Sequence, residues 1–336
     1  MPVDPRSSQA DQIGDVVTLD TIRTAAKLIA PYVVRTPTLP LGRLSERLGL
    51  PLVGKFELLQ HTGAFKARGA FHRMLLLSET ERDAGVVAVS GGNHGLAVAY
   101  AARELGIRAT ILMPSTTAST SVDRARADGA TVVLTETIGQ AFAQGIDQVT
   151  AGKVMIHPFD DPAVIAGQGT LALELYADAP EITDVIASIG GGGMITGVAA
   201  ALKTLNPAIR VWGVETYGAE SMTRALQAGQ PVTLDAIRSI ATTLGAPAVS
   251  ARTLAGVQTL VEEIVLVSDE EAVRAVELFS QVSKIITEPA AACTWTAVLK
   301  LRDRLPADAR PALVLCGGNA SLDDIQRWRA RFPPAD

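Results

Sequence analysis

The sequence predicts an α/β protein with largely parallel sheets, because short runs rich in β-branched residues alternate with helical patterns along most of its 336 residues. Two further observations agree. Glycine-rich turns stand directly after several of the runs, and no linker-like or repeated segment interrupts the alternation.

Taken in order, Val86 to Ser90 reads as a strand and Ala97 to Leu105 as a helix, with Gly106 placed where a left-handed cap ends it. Ala109 to Met113 is the next strand, and Gly129 marks a second helix end before the strand Thr131 to Thr135. Ile138 to Val149 is helical, then Val154 to His157 extended, then Pro162 to Tyr176 helical with proline at its start. The strands Asp184 to Ile189, Arg210 to Val214, Ile264 to Val267 and Ala312 to Leu315 follow, and helices are expected over Asp269 to Val282 and Leu322 to Arg331. Before Thr18 the chain is polar and reads as a mobile arm.

Composition narrows the function. A hydrophobic fraction of 48% with 19% charged residues buries a large core. A net charge of -5 and an aromatic share of 4% exclude a basic, stacking surface for nucleic acid, and they favour a small-molecule partner. Two cysteines, Cys293 and Cys316, are too few for a disulfide framework, and the N-terminus lacks the apolar core of an export signal, so a cytoplasmic protein with reduced thiols is expected. The uncharged stretch Val185 to Leu202 is divided by Gly190 to Gly193 and reads as strand, loop and helix rather than a membrane span.

Four segments concentrate unusual residues: Thr62 to Lys66, Ser90 to His94, Gly190 to Met194 and Cys316 to Asn319. The run of four glycines between a strand and a helix lets bare N–H groups approach a phosphate. It matches neither the dinucleotide fingerprint nor a Walker loop, since Thr196 and Val198 stand where those motifs need glycine and lysine. A partly desolvated lysine such as Lys66 loses its proton readily and can form an imine with an aldehyde, then act as a base. Taken alone, each of these residues also has an ordinary reading: Lys66 a surface charge, Phe65 and Cys316 core packing, Thr62 and Ser90 turn capping, and His94 a backbone hydrogen bond.

In this order the segments resemble the fold-type II pyridoxal-phosphate enzymes, in particular the serine and threonine dehydratases and serine racemases, over nearly the whole chain. The resemblance implies a tryptophan synthase β-like fold of two open-twisted α/β domains with the cofactor between them. Residues 1–84 and 151–336 would form the larger domain and residues 85–150 a smaller one carrying the substrate's carboxylate loop. It implies pyridoxal 5'-phosphate as a Schiff base on Lys66, with Gly190, Gly191, Gly192, Gly193 and Met194 cradling its phosphate. Asn93 would meet the phenolic oxygen, Phe65 one ring face and Cys316 the pyridine nitrogen, while Ser239 to Gly245, with Thr243, would cover the other face. Thr62, Ser90, Gly91, Gly92, Asn93 and His94 would receive the α-carboxylate.

The implied activity is β-elimination from a β-hydroxy amino acid, L-threonine or L-serine first, giving a 2-oxo acid and ammonia, with phenylserine and 3-hydroxyaspartate as alternatives. A thiol at the pyridine nitrogen makes the ring a weaker electron sink, which favours elimination. Racemases of the family carry serine where this chain has Gly91, so racemisation is expected to be weak. Their cation site would use Glu215, the Ala219 carbonyl and a carboxylate where this chain has Ser221, so no divalent metal is expected. A homodimer is implied by analogy alone. A non-catalytic cofactor carrier or amino-acid sensor is the reading from another class.

Overall fold

A computed structural model describes residues 17–333, so the arm before Thr18 lies almost wholly outside the described residues. Two sheets organise the chain. The first has the order β1-β2-β10-β7-β8-β9, formed by Thr38–Pro40 (β1), Val53–Lys55 (β2), Pro311–Val314 (β10), Asp184–Ser188 (β7), Arg210–Thr216 (β8) and Glu263–Val267 (β9). Only the β1–β2 hairpin is antiparallel, and the other pairs are parallel. The second sheet is wholly parallel, in the order β5-β4-β3-β6, from Thr131–Thr135 (β5), Ala109–Pro114 (β4), Val86–Val89 (β3) and Val154–Met155 (β6). Strand β6 lies beyond the 85–150 segment, so that sheet runs a little further along the chain than the expected boundary.

Every residue of β7 and of β3 is buried, as expected of parallel strands covered by helices on both faces. The larger core surrounds the first sheet. A second core joins β3 and β4 to Ala67, Ala70, Phe71 and Met74 from the helix Lys66–Leu75. That helix therefore stands between the sheets. It also packs closely on the helix Pro162–Asp178, where a side chain on Gly167 would strike the backbone of Arg68 and Gly69.

Boundaries shift in places. The helix read from Ala97 begins at Asn93, because its buried first turn of Asn, His and Gly shows no apolar period. The helical reading to Val282 ends as α-helix at Leu278, and a π-helical turn, Phe279–Ser283, follows. The helix ending before Gly129 spans Ser119–Ala127, whereas the strands β1 and β2, of three residues each, and the helix Ala251–Leu260 were not legible. Gly106 and Gly129 both take positive φ, 66° and 80°, as their capping role requires. Among the described residues no helix is long and apolar enough to cross a membrane.

Candidate active site

Strand ends from both sheets deliver the four marked segments to one place. The lysine loop is knit to the turn after β10: Phe65 N–H donates to the Cys316 carbonyl at 3.0 Å, and Gly318 N–H to the Gly63 carbonyl at 2.9 Å. Ala64 and Gly317 form an antiparallel bridge. Lys66 opens its helix, with Nζ 2.7 Å from the Pro158 carbonyl and 5.1 Å from the Phe65 ring centroid. Burial lowers the Lys66 amine to about 8, and the nearby Cys316 raises it only in part.

The glycine run lies next to that lysine. A side chain on Gly191 would enter the Phe159 ring, and one on Gly193 would meet the Phe159 backbone, so the residue after Lys66's acceptor packs on the loop. Gly192, at φ 89°, caps the helix Gly193–Leu205 without any side-chain partner for its first N–H groups. Such a helix end suits an anion. Met194 is buried in the first turn of that helix. Ser188, the last residue of β7, places its hydroxyl 3.4 Å from Cys316 Sγ. Burial pushes the Cys316 thiol up to about 12, so it is neutral, and Cys293 is likewise a buried free thiol.

The loop after β3 completes the cluster. Gly92 N–H donates to Ser90 Oγ at 3.1 Å, which fixes the turn before the helix Asn93–Leu105. Thr243, from the segment Ser239 to Gly245, lies beside Gly92. Asn93 Nδ2 donates to Glu288 Oε1 at 2.8 Å, and Asn93 Oδ1 accepts from Asn319 Nδ2 at 2.7 Å. Asn319 Nδ2 also donates to the Thr62 carbonyl, 2.8 Å away. The Thr62 side chain is buried, with its hydroxyl turned to the Ala64 carbonyl. His94 Nε2 donates to the Ile156 carbonyl at 2.7 Å, and burial with the neighbouring Lys66 lowers it to about 3. The neutral imidazole is turned toward the residue after β6 through Nε2, and its buried Nδ1 has no partner among the described residues.

A side chain on Gly91 would require Thr117 to move, because the Thr117 hydroxyl stands where that side chain would begin. The position that carries serine in the racemase branch is thus filled from another loop. At the expected cation position, the Glu215 carboxylate accepts hydrogen bonds from Met222 N–H, Thr223 N–H and the Thr223 hydroxyl at 2.6 to 2.8 Å. Among the described residues no group of three His, Cys, Asp or Glu side chains is arranged to hold a metal.

Sequence reasoning placed Asn319 in a marked segment without giving it a role, and it missed Ser188, Phe159 and Thr117. Glu288 is buried, and among the described residues no hydrogen bond of ordinary geometry reaches its Oε2, although the Thr243 side chain lies close enough to favour the charged carboxyl. Burial pushes its carboxyl up to about 7 from an ordinary 4.5, despite the hydrogen bond from Asn93. The folded chain then holds this proton over a pH range in which the unfolded chain has lost it, so this group disfavours folding increasingly as pH rises from about 4.5 to about 7. Glu288→Gln keeps an acceptor for Asn93 and removes the titration. Its urea midpoint should rise relative to the parent across that window, and a difference that stays flat with pH would contradict the assignment.

A buried amine of lowered basicity, a glycine-lined helix terminus and a neutral thiol at a strand end define an enzyme site for a phosphorylated aldehyde cofactor. The chain belongs to the pyridoxal-phosphate dependent enzymes, whose family profile matches residues 29–317. It is 37% identical over 314 residues to an L-threonine ammonia-lyase of Thermotoga maritima, covering 93% of this chain and 78% of that one. It is also 37% identical to a phenylserine dehydratase of Ralstonia pickettii, covering 93% and 97%. The solved structure of maize serine racemase superposes with a TM-score of 0.88 at 33% identity, covering 94% of this chain and 98% of that one. The residues present fit the cofactor: the glycines leave the backbone bare for a phosphate, and the Lys66 amine has a single carbonyl partner.

Proposed function

We propose that this chain is an ammonia-lyase that eliminates water from a β-hydroxy amino acid, L-threonine or L-serine, and yields a 2-oxo acid and ammonia. The observation that carries this reading is the Lys66 amine, buried beside Cys316 and His94 and lowered to about 8. Bound pyridoxal phosphate supplies the ring that accepts the electron pair left when the α-proton departs. Lys66 holds the cofactor covalently and, once displaced by substrate, takes the α-proton near neutral pH. The N–H groups of Gly190 to Gly193 would hold the cofactor's phosphate, Ser90 to Asn93 would orient the substrate carboxylate, and Phe65 and Thr243 would flank the ring. Cys316, a neutral thiol, would face the pyridine nitrogen of the bound cofactor, where it would limit charge storage on the ring and so favour elimination.

A second reading, 3-hydroxyaspartate as substrate, is favoured by Arg124. Its guanidinium donates to Asn319 Oδ1 at 2.8 Å and the Thr62 carbonyl at 3.3 Å, and it pairs with no carboxylate among the described residues. An uncompensated cation at this edge suits a second carboxylate. Release of oxo acid and ammonia, assayed in parallel with L-threonine, L-serine, L-threo-phenylserine and threo-3-hydroxyaspartate, tests both readings. Stoichiometric release from one of them names the substrate class, whereas none from any leaves a binding or sensor protein.

Arg124, on the helix Ser119–Ala127, also ties residues 85–150 to the large-domain segments at Thr62 and Asn319. In this reading the smaller domain closes over the substrate, and a homodimer is the working assembly. Small-angle scattering should show a more compact particle with a bound substrate analogue, and identical profiles would count against closure.

A further inference from the structure

We infer that Thr117 is a substrate-binding residue whose hydroxyl donates to the amino acid's α-carboxylate, an inference that rests on reading Ser90 to Asn93 as the carboxylate loop. Strands β3 and β4 are parallel neighbours, with Val89 opposite Leu112, so the loops that follow them lie side by side at one sheet edge. Ser90 N–H donates to the Leu112 carbonyl at 3.0 Å, and Thr117 N–H to the Pro114 carbonyl at 2.9 Å. These bonds hold both turns. They leave the Thr117 hydroxyl directly over Gly91.

Two features point this hydroxyl toward a ligand rather than toward the fold. Its oxygen is buried and has no hydrogen-bond partner among the described residues, which is unfavourable until something supplies one. It also occupies the space that a side chain at Gly91 would take, with Thr117 Cβ and Cγ2 3.2 Å from that position. A donor is thereby brought to the carboxylate loop from outside it. The hydroxyl of Ser90 accepts the Gly92 N–H and keeps its own proton to donate, so Thr117 adds a second side-chain donor at the loop. An ionised carboxylate has about four acceptor sites to fill, more than one short loop readily meets.

The test measures L-alanine binding by calorimetry to the cofactor-loaded protein, since L-alanine carries the α-carboxylate and has no β-hydroxyl to lose. Thr117→Val keeps the shape and removes the donor. It should weaken binding about tenfold, as loss of one hydrogen bond to a charged group implies, while Thr117→Ser should bind within about twofold of the parent. Melting of the ligand-free Thr117→Val protein should stay level or rise, because an unpaired buried hydroxyl is gone. A lower melting temperature with unchanged L-alanine affinity would mean a packing role and overturn the proposal. Ser90→Ala separates the two levels of the reading. If it weakens L-alanine binding and Thr117→Val does not, only Thr117 loses its role; if neither changes it, the loop is not the carboxylate site.

Discussion

Lys66→Ala should abolish turnover, by roughly a thousandfold or more, because one nitrogen holds the cofactor and moves the α-proton. The variant should also lose the absorbance that the attached cofactor gives near the blue edge of the visible. Lys55 is a competitor, since it is fully buried where Lys66 is half-buried, and its amine also lies below the ordinary lysine range through burial. The surroundings separate the two. Lys55 Nζ is 2.5 Å from Glu174 Oε2 and 2.6 Å from the Thr36 carbonyl, a charge-compensated position that holds the proton in place. Lys66 has one neutral carbonyl and no carboxylate partner. With the Lys66 amine lowered to about 8, its neutral, reactive fraction rises through that pH rather than near 10.5. Cofactor uptake by the stripped protein, trapped by borohydride and mapped by mass spectrometry, should therefore label the Lys66 peptide with a pH midpoint near 8. Label on Lys55, or a midpoint above about 10, would remove Lys66 from the centre of the mechanism.

What the sequence makes legible follows from how local each signal is. Val86 to Val89 and Val185 to Ala187 are apolar runs that lead into glycine-rich turns, so the strands and the glycine-rich ends that meet at the site could be read directly. Lys66, Ser90 and Cys316 were marked because their neighbours are unusual. Thr117 carries no such mark: it sits in a run of serines and threonines that reads as an ordinary turn, and only the parallel pairing of β3 with β4 brings it over Gly91. Phe159 is similar, since its contact with Gly191 depends on how the chain returns from β6. The roles of Glu288 and Asn319 arise from bonds to Asn93 spanning 195 and 226 residues, and no local pattern announces pairs so distant. The charged cluster beneath Lys66 was invisible for the same reason. Glu57, Arg68 and Glu174 resemble ordinary surface charges until the fold buries them.

That cluster carries the largest stability prediction. Arg68 is fully buried two residues after Lys66, and its guanidinium meets Glu57 at 2.8 Å on two nitrogens and Glu174 at 2.7 Å on two. Against the opposing effect of burial, the charge of Arg68 and its hydrogen bonds hold the Glu57 carboxyl below its ordinary range. Arg68→Met leaves two carboxylates with Lys55 and the more distant, exposed Arg35, and one of the two is wholly inaccessible to water. Breaking a buried network from one side in this way costs about 3–5 kcal/mol. The pH dependence identifies the cause. In the parent, the contribution of Glu57 is present above about 4.5 and is lost as pH falls through its lower folded value. Without Arg68, burial dominates and raises that carboxyl, so the variant's deficit should be largest near neutral pH and shrink as acid protonates Glu57. Arg68→Met combined with Glu57→Gln should recover part of the loss, because it removes the stranded charge as well. Urea unfolding at several pH values measures all three proteins. A deficit that is constant with pH and undiminished in the double variant would assign the loss to packing of the helix Lys66–Leu75 rather than to an unpaired carboxylate.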